Sequence, residues 1–158
     1  MCIRNAEPSD YRPIISVINA WWGGRNMADM LPQLFFVHFR QTSFVAEHGG
    51  VIAGFLIGFV SQTFPDEAYI HFVGVHPEHR KKGLGQALYG RFFEKAKAIG
   101  CTRVHCVTSP VNRGSVAFHL RMGFSIEPTE KTIDGIFVAE DYDGRGEHRV
   151  LFSKTLNS

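Results

Sequence analysis

Cysteine is scarce in this chain, and its three copies, Cys2, Cys101 and Cys106, include no Cys-x-x-Cys pair. That excludes a disulfide framework and a thiolate metal centre, and a reducing cytoplasm is the expected setting. Net charge is only +2, too little for nucleic acid to be a general partner. No apolar run approaches the roughly 20 residues that a membrane span needs. The start, Met1 to Glu7, lacks the apolar core of a secretory signal. His71, His76 and His79 lie close in sequence, but strand alternation splits them and no carboxylate or cysteine joins them at ligand spacing, so no metal site is expected. There is no internal repeat and no low-complexity tract.

What is present is ordinary globular material with a heavy aromatic load. The 158 residues are 44% hydrophobic and include fourteen Phe. That length suits one domain, residues 1–158, with a substantial core. The chain is organised around Val73-Gly-Val-His-Pro-Glu-His-Arg-Lys-Lys-Gly-Leu-Gly-Gln86. Ala68 to Val75, rich in β-branched and aromatic residues, reads as a buried strand. Leu84, Leu88, Phe92 and Ala96 recur every fourth residue, which predicts an amphipathic helix. A glycine turn at the mouth of a helix lets backbone N–H groups approach an anion, best a phosphate or pyrophosphate. Arg80, Lys81 and Lys82 add positive charge there. Without a Walker or Rossmann pattern, the alternative is a helix start with a solvated basic turn.

Val75-His-Pro-Glu-His-Arg-Lys-Lys-Gly-Leu-Gly85 resembles the acetyl-CoA-binding motif of the GCN5-related N-acetyltransferases, Val-x-Pro-x-x-Arg/Gln-x-x-Gly-x-Gly/Ala. Asn112-Arg-Gly-Ser-Val-Ala-Phe-His-Leu-Arg-Met-Gly-Phe124 is similar to that family's second signature. The family's usual tyrosine in this signature is His119 here. The resemblance covers Ala68 to Phe124 firmly and the rest of the chain more loosely.

Taken in order, the chain predicts a strand at Cys2–Asn5 and a helix starting at Pro8-Ser-Asp10 with Ile14, Ile15, Val17 and Ile18 inward. A break follows at Trp21–Asn26, then a second helix from Met27 to Gln41, started or kinked by Pro32. Ser43–Glu47 and Val51–Val60 flank His48-Gly-Gly50 as a hairpin. The nearly all-apolar second strand belongs at the centre, covered on both faces. Gly100 stops the long helix, and Thr102–Thr108 is the next strand. Asn112 caps a short helix that ends at Gly123. Phe124–Ile126 starts another strand, Asp141–Glu147 reads as a loop, and Arg149–Leu156 closes the sheet. The order β-α-α-β-β-β-α-β-α-β-β matches the acetyltransferase order. It implies an α/β (α+β) fold with a mixed, mostly antiparallel sheet, splayed where the cofactor enters.

The resemblance implies that acetyl-CoA is held by N–H groups of Lys81, Lys82, Gly83, Leu84, Gly85 and Gln86 around the pyrophosphate. The pantetheine arm is expected along Val73, Gly74 and Val75, with Asn112, Ser115 and Phe118 of the second signature alongside. An alkylamine is protonated at pH 7, so a base is needed. His71 is favoured, because alternation gives it the face of Val73 and Val75 and it matches the histidine four residues before Val-x-Pro in arylalkylamine acetyltransferases. A hydrogen-bonded core histidine is the alternative. Glu67, acting through water, comes second, and Tyr69 and His105 follow. His119 could protonate the leaving sulfur in place of the tyrosine, or hold only a water or the cofactor's amide.

The acceptor expected is a primary amine of a small molecule or peptide, in a pocket framed by Trp21–Met30, the second helix and the loop around Tyr142. The aromatic content there suggests an apolar or aromatic-bearing acceptor; polyamines would want more acid than Asp29 provides. The second functional reading is a non-catalytic acyl-CoA-binding module, favoured only by the missing tyrosine. A homodimer is compatible with the edge strands and apolar helices.

Overall fold

The computed structural model describes residues 1–157. Seven strands form one sheet in the spatial order β1 (Cys2–Asn5), β2 (Phe44–His48), β3 (Val51–Val60), β4 (Glu67–Val75), β5 (Arg103–Thr108), β9 (Val150–Thr155) and β6 (Ser125–Ile126). Every neighbouring pair is antiparallel except β4 and β5. A separate hairpin, β7 (Lys131–Ile133) and β8 (Ile136–Val138), lies between β6 and β9 in the chain.

The helices are α1 (Tyr11–Trp21), α2 (Leu34–His38), α3 (Leu84–Ile99) and α4 (Arg113–Arg121). The helix expected over 27–41 is instead three short turns: Ala28–Met30, α2 and Arg40–Thr42. Pro32 interrupts the hydrogen-bond ladder, and the pieces bury separate anchors, Leu31, Phe36 and Thr42. Gly83 and Gly100 bracket α3 in left-handed conformations, φ 82° and 106°, which a side chain would strain.

Two hydrophobic cores lie on opposite faces of the sheet. One gathers α3 and α4 residues such as Leu88, Phe92 and Val116 with Ala68, Ile70, Val104 and Phe152. The other joins Ile14, Ile18, Trp21, Leu31 and Phe36 to Phe55, Ile57 and Phe72. β3 serves both, and it is buried from Ala53 to Gly58. At the edge of the sheet, Arg4 reaches the buried Asp10 carboxylate with two hydrogen bonds of 2.8 and 2.9 Å, tying β1 to the start of α1.

Candidate active site

Two irregularities in β4 build the site. The first is a bulge. Ile57 pairs with Phe72 and Gly58 pairs with Ile70, so His71 is an extra residue with no partner in β3. A bulge shifts the side-chain alternation by one. Ala68 and Ile70 therefore face the α3 side, Phe72 faces the α1 side, and Val73 and Val75 return to the α3 side. The alternation that gave His71 the face of Val73 and Val75 is broken at His71 itself. Its ring lies on the α1–α2 side, stacked on Phe35 at 4.3 Å and 4°.

The second irregularity is the splay. β4 pairs with β5 only at Glu67–Arg103, Ala68–Val104 and Tyr69–His105. Beyond Tyr69 the strands part, leaving the β5-facing backbone groups of the rest of β4 without a strand partner. Backbone groups freed in this way can receive an extended ligand as a pseudo-strand.

His71 is held by one well-defined bond. Its Nε2 lies 2.6 Å from the Met30 carbonyl, which can only accept, so the hydrogen sits on Nε2 and Nδ1 carries the lone pair. Burial lowers the imidazole's pKa below the ordinary 6.5; the Met30 hydrogen bond and the Asp143 charge work against this without reversing it. A neutral ring with a free Nδ1 is the form a general base requires.

The glycine loop forms a cradle. Gly85 lies where Val75 and Phe118 converge: a side chain there would stand 3.6 Å from the Phe118 ring and 3.9 Å from Val75. The space at Gly83 is open. The first N–H groups of α3 have no intrahelical acceptors and present the positive end of the helix. Lys81 and Lys82 are exposed on the loop and Gln86 on the first turn. Arg80 departs from expectation. Its Nε donates to the Val75 carbonyl at 3.0 Å and its Nη2 to the Trp21 carbonyl at 2.5 Å, so it braces the loop against β4 and α1. Gly74 is also needed on its other side, since a Cβ would stand 2.6 Å from the Phe55 ring and 3.0 Å from Trp22. In α4, Asn112 accepts from the Ser115 N–H at 3.1 Å as the helix cap.

His119 lies in the core. It is 6% exposed and stacked on Phe152 at 4.6 Å. Its Nδ1 donates to the Ser115 carbonyl at 2.7 Å, and its Nε2 accepts from the Tyr89 hydroxyl at 2.8 Å. Burial lowers its pKa too. With its one proton committed to the Ser115 carbonyl and its Nε2 lone pair to the Tyr89 hydroxyl, its surroundings fit a core partner of Tyr89.

Glu67 faces a cavity of about 310 Å³ beside the paired part of β4 and β5, together with Tyr69, His105, Glu127 and Tyr142. Glu67 Oε1 accepts from His105 Nε2, and His105 Nδ1 lies 3.3 Å from Glu127 Oε1. Glu127 escaped the sequence reading, because nothing local marks it; only the β6–β9 pairing brings it beside β5. Burial raises the Tyr69 phenol well above its usual value, with Tyr142 and Cys106 adding to the shift, so Tyr69 stays protonated. Tyr142 of the late loop shares this cavity with Tyr69. Among the described residues no three groups are placed to hold a metal ion.

Residues 8–124 match the acetyltransferase (GNAT) family. The chain belongs to that family. It is 34% identical over 79 residues to an L-2,4-diaminobutyric acid acetyltransferase of Nocardia farcinica, covering 50% of this chain but only 41% of that relative. It is 29% identical over 139 residues to an L-methionine sulfoximine/L-methionine sulfone acetyltransferase of Salmonella typhimurium, covering 80% of this chain and 81% of the relative. Its fold superimposes on yncA from Salmonella typhimurium, solved with its cofactor acetyl-CoA, with TM-score 0.71 and 22% identity over 100% of this chain and 95% of the other. The mixed, mostly antiparallel sheet with a parallel β4–β5 pair is this family's fold, as the sequence implied.

Proposed function

We propose that this chain transfers the acetyl group of acetyl-CoA directly to the primary amine of a small molecule, both bound together. The observation that carries the reading is the neutral His71, its Nδ1 free, beside the splay of β4. The family match and the two small-molecule acetyltransferases among its relatives support it.

The residues fit the donor. Main-chain N–H groups from Lys81 to Gln86 would hold the pyrophosphate, with Lys81 and Lys82 adding charge. Val73, Gly74 and Val75 would hold the pantetheine arm by backbone contacts, and Val75, Gly85 and Phe118 would wall it. Bound there, acetyl-CoA supplies an activated acyl thioester. Nδ1 of His71 takes a proton from the acceptor's ammonium, which frees its lone pair for attack. A main-chain N–H of the splayed β4 segment would be available to the thioester carbonyl oxygen, a contribution of about 3–4 kcal/mol where such donors have been removed from other enzymes. Two protons would leave the ammonium nitrogen, one to His71 Nδ1 and one, as the amide forms, to the sulfur, so the exchange balances with His119 held in the core.

The second reading, a non-catalytic acyl-CoA-binding module, draws on one observation: the signature tyrosine is replaced by a buried histidine. Thiol release from acetyl-CoA against a panel of amines separates the two, with a no-acceptor control for the three protein cysteines. Release with an amine class supports transfer. A thermal shift with acetyl-CoA but no release with any amine supports the binding module.

A further inference from the structure

Of all the residues in β4, His71 alone is paired with neither neighbouring strand: the bulge removes its partner in β3, and the pairing with β5 stops at Tyr69. An extra residue of this kind is left outside the ladder, so the direction of its ring is set by contacts from beyond the sheet. Two such contacts are present, and both come from the short turns before β2. The Met30 carbonyl lies 2.6 Å from Nε2, and Phe35 stacks on the ring at 4.3 Å and 4°. This is the flattest aromatic pair among the described residues, the His119–Phe152 pair being next at 17°. Met30 and Phe35 each stand one residue before a fully buried anchor, Leu31 and Phe36. Phe35 is also backed by other rings. Phe39 lies 5.3 Å from it, Phe59 5.3 Å from Phe39, and Tyr69 5.3 Å from Phe59. The row of rings thus leaves β4 at His71 and returns to it at Tyr69.

We infer that Phe35 is a positioning residue for the base: its ring fixes the plane of His71, and with it the direction of the Nδ1 lone pair, and closes one face of the imidazole to water. The inference rests on the transferase reading above and adds a residue that acts through His71. A hydrogen bond at Nε2 fixes one point of the ring but leaves it free to turn about that bond. A flat stack backed by three further rings removes that freedom. The hydrocarbon face also withholds water from the charged form, and so belongs to the burial that keeps the imidazole neutral. Asp143 is the charged group that acts on the ring, and it works in the opposite sense. A stack that only packs the fold would change stability on truncation. A stack that positions the base would change the base itself.

The test sets Phe35→Ala beside Phe35→Tyr, which keeps the flat face. Proton NMR titration of the His71 ring in the CoA-bound protein, its signal identified by its loss in His71→Gln, reads the base without turnover. In Phe35→Ala the titration midpoint is expected to move up toward the ordinary 6.5, and the acid limb of kcat/KM moves up with it. Above both midpoints kcat is expected to fall about ten- to a hundredfold through lost orientation. The KM for acetyl-CoA and its thermal shift are kept, and Phe35→Tyr behaves as wild type in every readout. Should Phe35→Ala fail to fold, Phe35→Leu, which keeps bulk without a flat face, is read for the same fall in kcat at constant KM. A His71 midpoint that stays in place in Phe35→Ala, or moves down as loss of a cation–π contact would give, overturns the inference. So does a loss of Tm with kcat unchanged, and both results leave the transferase standing. No release by the wild type with any amine, while acetyl-CoA still raises Tm, overturns the transferase reading and the inference with it.

Discussion

The ring of His71 lies flat on that of Phe35, 4.3 Å apart and 4° from parallel, and this stack joins a bulged strand to the broken second helix. On the proposed mechanism, replacing His71 with alanine removes the base but leaves the glycine cradle intact. The expected result is a loss of about 10²–10⁴-fold in kcat/KM, with the acetyl-CoA thermal shift preserved. Full activity in His71→Ala would disprove the assignment.

The pH profile follows from the same ring. Burial lowers its pKa below 6.5, so kcat/KM should hold at pH 6.5 and fall only as pH drops through the lowered value. A rate that halves at or above pH 6.5 would assign the base to another group.

His119 makes the opposite prediction. His119→Phe leaves the buried Tyr89 hydroxyl without its acceptor, which costs about 1–3 kcal/mol and lowers Tm. Turnover per folded molecule should stay near wild type. A large fall in kcat with unchanged Tm would restore the acid role.

Stability should also depend on pH in a definite direction. His71 and His119 both have pKa values lowered from 6.5 in the fold. Their contribution is complete above pH 6.5 and is lost as pH falls through the lowered values, because only the unfolded chain takes up those protons there. Asp10 acts lower on the scale. Burial alone would raise its carboxyl, but the Arg4 and Glu7 hydrogen bonds more than reverse this, so it stabilises above pH 3.8 and is lost below. Tm measured from pH 7 to 5 should fall less steeply in His119→Phe than in wild type.

The cradle can be tested by filling it. Gly85→Leu places a side chain between Val75 and Phe118, where the present gap leaves ordinary contact distances. Tm without cofactor should change little, while the thermal shift with acetyl-CoA shrinks or disappears. An undiminished shift would place the pantetheine elsewhere.

Much of this molecule was legible in its sequence because the signals were local. Gly83 and Gly100 marked the ends of α3, since each takes a conformation that favours glycine. Asn112 marked its cap, and the apolar run of β3 marked the sheet centre. The bulge at His71 was hidden, because Phe72 to Val75 after it carry no polar side chain, and a one-residue shift leaves no trace in such a run. The fate of His119 depended on Tyr89 of α3 and Phe152 of β9, and the pairing of His105 with Glu127 on two strands meeting at β9. Those are distances across the fold, which no spacing encodes.

Because the sheet divides two cores, a lineage of such proteins can change on one side without disturbing the other. The cradle of Gly83, Gly85 and Phe118 belongs with α3 and α4, whereas His71, Phe35 and Met30 belong with the segment before β2. Substitutions at well-separated sites tend to act independently. On the proposed assignment, drift in the early helices would alter which amine is accepted while the acetyl donor stays fixed. One scaffold can thus be inherited whole and assigned to new acceptors by half of its residues.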